Sequence, residues 1–385
     1  MTIKDSPLIY TYKRAEMTFV SGSGCVLKDA DGKEYLDCLA GIAVTSLGHA
    51  NPEIAKVIAE QAAKLVHVSN LYWTEPMAEL AAKLNEITGW GKVFFTNSGA
   101  ESNECAIKLA RKWAGEGRYK ILCADKSFHG RTLGTLAATG QPAKWKGFEP
   151  LPEGFVHLPF NDLEAFTAAV DGQTAAIMVE PIQGEGGLHP ATAEFLEGLR
   201  KLCDDKNIAL IFDEVQSGIG RTGSWWAFQN FGVEPDIFTS AKALGNGLPI
   251  GACIAKDSFA ESFVPGDHGT TYGGGPVVCA AALEGIKIIE RDGLLQATKE
   301  KGAIFKESLL ALDEVEDVRG QGLMLGAKLS KENSGDVAAK CLEKGLIVNA
   351  VAPDTIRWVP PLIISESEIS QAVSIFKEAL TEVNS

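Results

Sequence analysis

Asp213 and Lys242 are the two residues of this 385-residue chain whose setting suggests covalent chemistry. Asp213 ends the apolar run 209–212, and Lys242 lies among small residues in the segment 240–245. A poorly solvated lysine has a lowered pKa and can attack an aldehyde to form a Schiff base. A carboxylate can pair with a protonated pyridine nitrogen and keep the ring an electron sink. A lone lysine after a strand is usually a surface residue, but the pair predicts pyridoxal phosphate as cofactor.

The residues after Asp213 complete a predicted binding place for the cofactor ring. An acid reached through apolar residues stays ionised only beside a cation, and the pyridinium would supply one. We expect Gln216 to hydrogen-bond the ring hydroxyl and Val215 to pack on one ring face. The alternative is an acid that only caps the end of a strand.

The segment 97–103 follows an apolar run and opens a predicted helix, which suggests a phosphate site. Helix N-termini bind anions through free N–H groups and a favourable dipole. We expect the amides at the start of this helix to contribute, with Ser98 adding a hydroxyl. The same residues also suit an ordinary helix cap, and the chain has no G-x-x-x-x-G-K-[ST] loop.

Phe128 and Arg131 form a third cluster with His129 and Gly130. Phe128 could stack on the exposed face of the ring, and Arg131 could clamp a substrate carboxylate. Taken singly, they are more often a core aromatic and a surface ion pair. The six histidines lack metal-ligand spacing, so no metal is expected and His129 is assigned a supporting role.

Two further pairs complete the candidate site. Glu185 lies among glycines and Arg357 between apolar residues, and we expect them to act together on substrate. Thr270 and Thr271 lie in the glycine-rich loop 269–275, where their hydroxyls could contact substrate and phosphate. The alternatives are a solvated loop acid and a simple linker.

The elements that must position these residues follow from the hydrophobic pattern. Short apolar runs predict strands and alternate with amphipathic helix patterns, which favours an α/β fold with a mostly parallel sheet flanked by helices. Asn51 and Thr74 are expected to cap two of the helices, and Asp31-Gly32 to turn an N-terminal hairpin over 22–39. Ligands of such sheets bind at the carboxyl ends of strands. Strands are predicted at 93–95, 121–123, 176–179 and 209–212. One further helix is predicted at 193–206.

Domain organisation and cellular setting are predicted more coarsely. A large domain is expected over 56–275, and residues 1–55 with 276–385 would form a smaller α+β domain. The net charge of −14 argues against nucleic acid or an anionic membrane as partner. Eight cysteines without a C-x-x-C pair favour free thiols in a reducing compartment. Without an apolar signal core or a transmembrane-length run, the expectation is a cytoplasmic protein.

Several short sequence motifs occur in the same order as in a known family, and through them the chain resembles the class III, ornithine-type aminotransferases. Members of that family have the fold type I of pyridoxal phosphate enzymes. The resemblance covers nearly the whole chain. It rests on residues 41–44, 47–49, 95–99, 127–131, 179–187, 240–244 and 357–362.

The resemblance implies roles for the candidate residues. Lys242 would be the Schiff-base lysine, Asp213, Val215 and Gln216 would hold the ring, and Phe128 would stack on it. Gly99 and Ala100 would bind phosphate, and Arg131 the substrate carboxylate. In a homodimer with composite sites, Thr271 would reach the neighbouring subunit's phosphate and Thr270 its substrate. Three residues depart from the family pattern: Ala100 replaces the usual Thr, Thr270 stands where many members have Ser, and Gly275 replaces a common Asn.

The reaction implied is a ping-pong transfer of the δ-amino group of N-acetylornithine to 2-oxoglutarate, which gives glutamate. Succinylornithine, succinyl-diaminopimelate, ornithine and 4-aminobutyrate are alternative donors, because the pattern of residues does not fix the acyl pocket. An aminomutase or racemase of the same fold and a non-catalytic scaffold are the alternatives outside this reaction class. The set of Arg131, Glu185 and Arg357 favours two-substrate transamination, and an intact Lys242 with Asp213 argues against a scaffold.

Overall fold

The structure is a computed structural model that describes residues 7–385. Its strands are β1 (Phe19–Ser23), β2 (Val26–Asp29), β3 (Glu34–Asp37), β4 (Lys92–Thr96), β5 (Lys120–Ala124), β6 (Phe155–Leu158), β7 (Thr174–Val179), β8 (Ile182–Gln183), β9 (His189–Pro190), β10 (Ala209–Asp213), β11 (Ile237–Ser240), β12 (Gly251–Ala255), β13 (Val315–Gln321), β14 (Met324–Leu329), β15 (Leu346–Ile347), β16 (Asn349–Ala352) and β17 (Thr355–Trp358). Its α-helices are α1 (Ala40–Ala43), α2 (Pro52–Lys64), α3 (Glu75–Thr88), α4 (Gly99–Ala114), α5 (Leu133–Ala138), α6 (Leu163–Ala169), α7 (Ala193–Lys206), α8 (Asp257–Ala260), α9 (Pro276–Arg291), α10 (Leu294–Leu310), α11 (Ser334–Glu343) and α12 (Glu366–Asn384).

A seven-stranded sheet with the order β4-β12-β11-β10-β7-β5-β6 forms the centre of the molecule. Neighbouring strands from β11 to β6 run parallel, whereas β12 is antiparallel to both β11 and β4. Every residue of β7 and β10 is buried, as expected for strands covered by helices on both faces. The predicted α/β class is therefore confirmed, and the reversed strand β12 is an addition to it.

The local predictions for strands and helices are confirmed with one exception. The four predicted strands correspond to β4, β5, β7 and β10, and the predicted helix over 193–206 is α7. Asn51 caps α2 by accepting hydrogen bonds from the amides of Glu53 and Ile54 at 3.0 and 3.2 Å. Thr74 occupies the N-cap position of α3, but its side chain makes no capping bond, so that prediction was wrong for the side chain. Its hydroxyl is buried and lacks a hydrogen-bond partner among the described residues.

Two smaller sheets use residues from both ends of the chain. One has the order β1-β2-β3-β15, and the other has the order β13-β14-β17-β16. The antiparallel pair β2–β3 confirms the predicted hairpin, whose turn is held by the Asp29 carboxylate through the amides of Asp31 and Lys33. One large apolar cluster continues from the central sheet into these parts and α12. The proposed domain boundaries remain predictions.

The central sheet brings the candidate residues together at one edge. The loops that follow β4, β5, β7, β10 and β11 all leave the sheet there, because the carboxyl ends of parallel strands lie on the same side. These loops hold the segment before α4, Phe128 to Arg131, Glu180 to Glu185, Asp213 to Gln216, and Lys242. Within residues 7–385, no helix combines the length and apolar character needed to cross a bilayer.

Candidate active site

A cavity of about 440 Å³ opens where these strands end. This volume lies in the range of sites for small molecules and cofactors. Most of the predicted residues line it, whereas Arg357, Thr270 and Thr271 do not. Those lining it are Ser98, Gly99, Ala100, Phe128, Arg131, Glu185, Asp213, Val215, Gln216 and Lys242.

Asp213 is held by a buried hydrogen-bond network at the end of β10. Its Oδ2 lies 2.8 Å from Nδ1 of His129 and accepts a 2.7 Å hydrogen bond from Nδ2 of Asn103. Its Oδ1 accepts from the amide of Val215 at 3.0 Å. The hydroxyl of Thr239 fixes the Asn103 amide by donating to its Oδ1 at 2.7 Å. The network orients a carboxylate toward the cavity, as the predicted role of Asp213 requires.

His129 is fully buried behind Asp213 and carries part of this electrostatic arrangement. Burial lowers the pKa of the imidazole, but the hydrogen bond and charge of Asp213 outweigh it, so that the pKa is raised. A protonated His129 would stabilise the ionised form of Asp213. Its Nε2 has no hydrogen-bond partner in the described part of the chain. The contact through which His129 could play its expected supporting role is therefore its hydrogen bond with Asp213.

The start of α4 has the features of an anion site. Ser98 is the N-cap residue, and its hydroxyl oxygen accepts from the Glu101 amide at 3.2 Å. Among residues 7–385, no hydrogen bond uses the amides of Gly99 and Ala100, which therefore remain free for a phosphate. A Cβ on Gly99 would lie 2.6 Å from Cγ1 of Val215, so only glycine allows Val215 to pack this closely.

Lys242 follows β11 and adopts an uncommon backbone conformation with a φ of 45°. Burial lowers the pKa of its amine to about 8, opposed by the negative charge of Glu185. An amine with this pKa is substantially neutral at a mildly alkaline pH and can act as a nucleophile or base. The environment predicted from the small neighbours of Lys242 is thus present.

Glu185 and Arg357 form an ion pair, so the structure brings the two together, and their joint action on substrate stays a prediction. Nη1 of Arg357 donates to Oε1 of Glu185, and Oε1 of Gln216 lies 3.3 Å from the same nitrogen. The Arg357 side chain is fully buried, and Nε donates to Oδ1 of Asn349 at 3.1 Å. Glu185 therefore separates Arg357 from the cavity. In this arrangement Gln216 contacts Arg357 and Glu185, besides lining the predicted ring site.

Phe128 and Arg131 lie on one side of the cavity. Cζ of Arg131 is 5.7 Å from the centroid of the Phe128 ring, a distance suited to a cation–π contact. Arg131 is solvent-exposed and makes no ion pair with another described residue. A guanidinium at the cavity wall without a protein carboxylate is available to a substrate carboxylate.

The loop with Thr270 and Thr271 lies beside the cavity and faces outward. The Thr270 hydroxyl accepts from Nδ2 of Asn97 at 3.2 Å, and Nδ2 of Asn70 donates to the backbone oxygens of Thr270 and Gly273 at 3.1 and 2.9 Å. Thr271 is exposed. Within a single chain, the structure therefore does not bring these two hydroxyls into the site.

Glu180 and Asn103 are candidate site residues that sequence reasoning missed. Glu180 is buried and lines the cavity, and its carboxylate accepts from the amides of Phe128 and Gly184 at 3.1 and 3.4 Å. Burial raises its pKa to about 7. An acid directly after the apolar strand β7 was the available signal for Glu180. Asn103 lies inside a helix pattern, and only its contact with Asp213 reveals it.

The residues present fit the predicted cofactor. A buried carboxylate and a lysine of lowered pKa line the same cavity, and free helix amides lie at its edge. Pyridoxal phosphate needs these three features for its ring nitrogen, aldehyde and phosphate. No cluster suited to a metal ion was found in residues 7–385.

Comparison with known proteins shows the family of the chain. The sequence model of the family "Aminotransferase class-III" matches residues 10–380. The acetylornithine aminotransferase of Caldanaerobacter subterraneus subsp. tengcongensis is 48% identical, with 100% of this chain and 99% of that protein covered. The enzyme of the same name from Methanocaldococcus jannaschii is 49% identical, over 97% of this chain and 95% of the relative. The chain therefore belongs to the class-III aminotransferases.

Solved structures show the same fold. The ornithine aminotransferase of Toxoplasma gondii superimposes with a TM-score of 0.94 at 29% identity, covering 98% of this chain and 93% of that one. N-acetylornithine aminotransferase from Stenotrophomonas maltophilia gives a TM-score of 0.85 at 34% identity, with 97% of both chains covered. The protein is thus a pyridoxal phosphate-dependent transaminase of fold type I.

Proposed function

We propose that the protein transfers the δ-amino group of N-acetylornithine to 2-oxoglutarate, giving N-acetylglutamate semialdehyde and glutamate. The observation that carries this proposal is the ion pair of Glu185 with the buried Arg357, together with the unpaired cation Arg131, which lines the same cavity as Glu185. Such a set can serve two substrates with differently placed carboxylates. The relatives named acetylornithine aminotransferase, at 48 and 49% identity over nearly the whole chain, support N-acetylornithine as the donor.

The first substrate reacts at its far end. The α-carboxylate of N-acetylornithine then lies distant from the reacting nitrogen and binds Arg131. Its apolar chain passes Glu185, which keeps the charge of Arg357 neutralised. An unpaired buried guanidinium facing that chain would be strongly unfavourable.

The second substrate pair, glutamate and 2-oxoglutarate, reacts at the α-carbon and carries two carboxylates. The one next to the reacting carbon requires a cation deep in the site, which Arg357 supplies once Glu185 turns away. The side-chain carboxylate then binds Arg131. A bidentate guanidinium–carboxylate pair fixes the orientation of each substrate.

The remaining residues bind the cofactor and move protons. When bound, pyridoxal phosphate accepts the electron pair released at the reacting carbon. We assign Lys242 to covalent cofactor binding and to proton transfer between carbon atoms, and Asp213 to the ring nitrogen. Ser98, Gly99 and Ala100 would hold the phosphate, Phe128 and Val215 would cover the ring, and Gln216 would contact its hydroxyl.

We also propose a homodimer in which Thr271 contacts the phosphate, and Thr270 the substrate, in the neighbouring subunit. The neighbouring side chains of Leu71, Tyr72, Trp73 and Tyr272 are 68–88% exposed, and apolar patches of this kind mark interfaces. Light scattering on the purified protein tests this: a particle of twice the chain mass is expected, and a monomer would contradict it. A cytoplasmic location is proposed from the eight buried free thiols.

The test of the donor is the absorption spectrum of the purified, cofactor-loaded protein without an oxo acid. N-acetylornithine at low concentration should bleach the yellow band, and 2-oxoglutarate should restore it. Ornithine, 4-aminobutyrate and the two succinylated donors serve as parallel additions and should bleach it more slowly. Preferential bleaching by one of these would keep the transaminase and change the donor. Bleaching that no oxo acid reverses would favour an aminomutase, and a yellow band that none of the donors bleaches would favour a racemase.

A further inference from the structure

A second cation lies on the same aromatic ring as Arg131. Nζ of Lys144 is 5.7 Å from the centroid of the Phe128 ring, the same distance as Cζ of Arg131. Lys144 is the last residue of the short 3-10 helix Pro142–Lys144, which follows α5 in the chain. The loop with Phe128 lies just before α5, between β5 and α5. Motif reasoning did not single it out, because nothing in the segment 140–148 suggested chemistry.

The backbone around Lys144 is fixed. The Gln141 side chain donates to the backbone oxygens of Lys126 and Ser127 at 3.2 and 3.0 Å. The indole of Trp145 donates to the Thr139 oxygen at 2.9 Å. Lys144 itself is half-buried. Its place beside Phe128 is therefore a property of the folded loop.

Neither cation has a protein counter-charge. In the part of the chain that the structure describes, no carboxylate lies within 4 Å of the charged group of Lys144 or Arg131. Burial, and then the charge of Arg131, lower the pKa of Lys144, while Glu185 opposes the shift more weakly. Two mutually repelling cations on one ring are relieved by an anion that binds between or beside them.

We propose that Lys144 is a specificity-determining residue that joins Arg131 in binding the substrate carboxylate farthest from the reacting atom. In N-acetylornithine this group is the α-carboxylate, and in glutamate or 2-oxoglutarate it is the side-chain carboxylate. The inference rests on the proposed function, since it assigns a partner to the same two substrates. Lys144 acts by charge and leaves the chemical step to other residues.

Lys144→Met tests the charge while keeping the apolar stem over Phe128. We expect KM for N-acetylornithine and for 2-oxoglutarate to rise by about three- to tenfold, the scale for a partly exposed charge pair, with kcat nearly unchanged. Lys144→Arg should restore both KM values to near those of the wild type. Lys146→Met is the matched control, because Lys146 is an exposed lysine of the same segment and should alter neither KM.

A donor without the carboxylate separates charge recognition from shape. N-acetylputrescine is N-acetylornithine lacking that group, and kcat/KM for it should be the same in Lys144→Met and wild type. An equal loss with both donors, or unchanged KM values for the carboxylate substrates, would overturn this inference alone. Failure of the wild-type protein to turn over either N-acetylornithine or L-glutamate would instead overturn the proposed function, and the inference with it.

Discussion

Glu185 accepts a hydrogen bond from Nη1 of the fully buried Arg357, while Nη2 of the same guanidinium has no partner among the described residues. Nε donates to Asn349, and Nη1 donates to Glu185, Gln216 and the backbone oxygen of Gly184. The charge of Arg357 lowers the pKa of Glu185 against the effect of burial. An incoming carboxylate could take the place of Glu185 and also use Nη2. The Glu185–Arg357 ion pair is therefore suited to exchange, in which a substrate carboxylate replaces Glu185 on Arg357.

Glu185→Gln should impair the N-acetylornithine half-reaction more than the glutamate half-reaction. Without the negative charge, Arg357 faces the apolar chain of N-acetylornithine unpaired, whereas glutamate brings its own carboxylate. We expect a decrease of about ten- to a hundredfold in the first half-reaction, on the scale of a charged hydrogen bond, and only a few-fold change in the second. Single-turnover bleaching of the cofactor band measures both rates, and equal losses would refute the exchange.

Lys242→Ala should abolish turnover and leave cofactor binding measurable. The variant loses the proton-transferring amine but retains Asp213, the helix amides and the aromatic contact. We expect kcat to fall at least about a thousandfold. A steady-state assay measures the loss of turnover, and equilibrium dialysis of pyridoxal phosphate measures the retained cofactor binding. Substantial residual transamination would show that another residue is the catalytic lysine.

Capture of pyridoxal phosphate by the cofactor-free protein should accelerate as the pH rises through about 8. Burial lowers the pKa of Lys242 to that value, and only the neutral amine is nucleophilic. The rate of growth of the yellow band is the measurement. N-acetyllysine serves as the control for titration of the cofactor itself, and its rate should keep rising to about pH 10. A protein profile that follows the control would mean that the site leaves Lys242 unperturbed.

Glu180→Gln should gain stability relative to the wild type as the pH rises. Burial raises the folded-state pKa of Glu180 from 4.5 to about 7, so the folded protein holds this proton more tightly than the unfolded chain. That contribution is complete at low pH and is lost between pH 4.5 and 7. The difference in unfolding free energy should therefore increase across this window, by up to about 3 kcal/mol, and level off above it.

Urea unfolding of both cofactor-free proteins between pH 4.5 and 8 measures this difference. Glu194→Gln is a suitable control, because Glu194 is an exposed acid on α7. A difference that does not change with pH would mean that Glu180 titrates normally in the folded protein. A difference that falls with rising pH would mean that its carboxylate is stabilised by His129 more than it is destabilised by burial.

Local sequence patterns were sufficient to predict the strands and helices that carry the main chemical groups of the site. The apolar runs of β7 and β10 and the amphipathic pattern of α7 are properties of short segments, so they predict structure without knowledge of the fold. The parallel sheet follows from their alternation, and with it the meeting of Asp213 and the Ser98 turn at one edge. The antiparallel strand β12 was not predicted, because its direction is set by the short connection 241–250 from β11, which holds no crossover helix and so turns the chain back beside β11.

Sequence by itself determined the family and the α/β class and was enough to propose Lys242, Asp213 and Arg131 as site residues, because these depend on residue types in local order. Only the tertiary structure showed that Asn103 and His129 hold Asp213 and that Lys144 shares the Phe128 ring with Arg131. It also placed Glu185 between Arg357 and the cavity. Hydrogen bonds and charges act through distance in space, and residues far apart in the chain become neighbours only when the chain has folded.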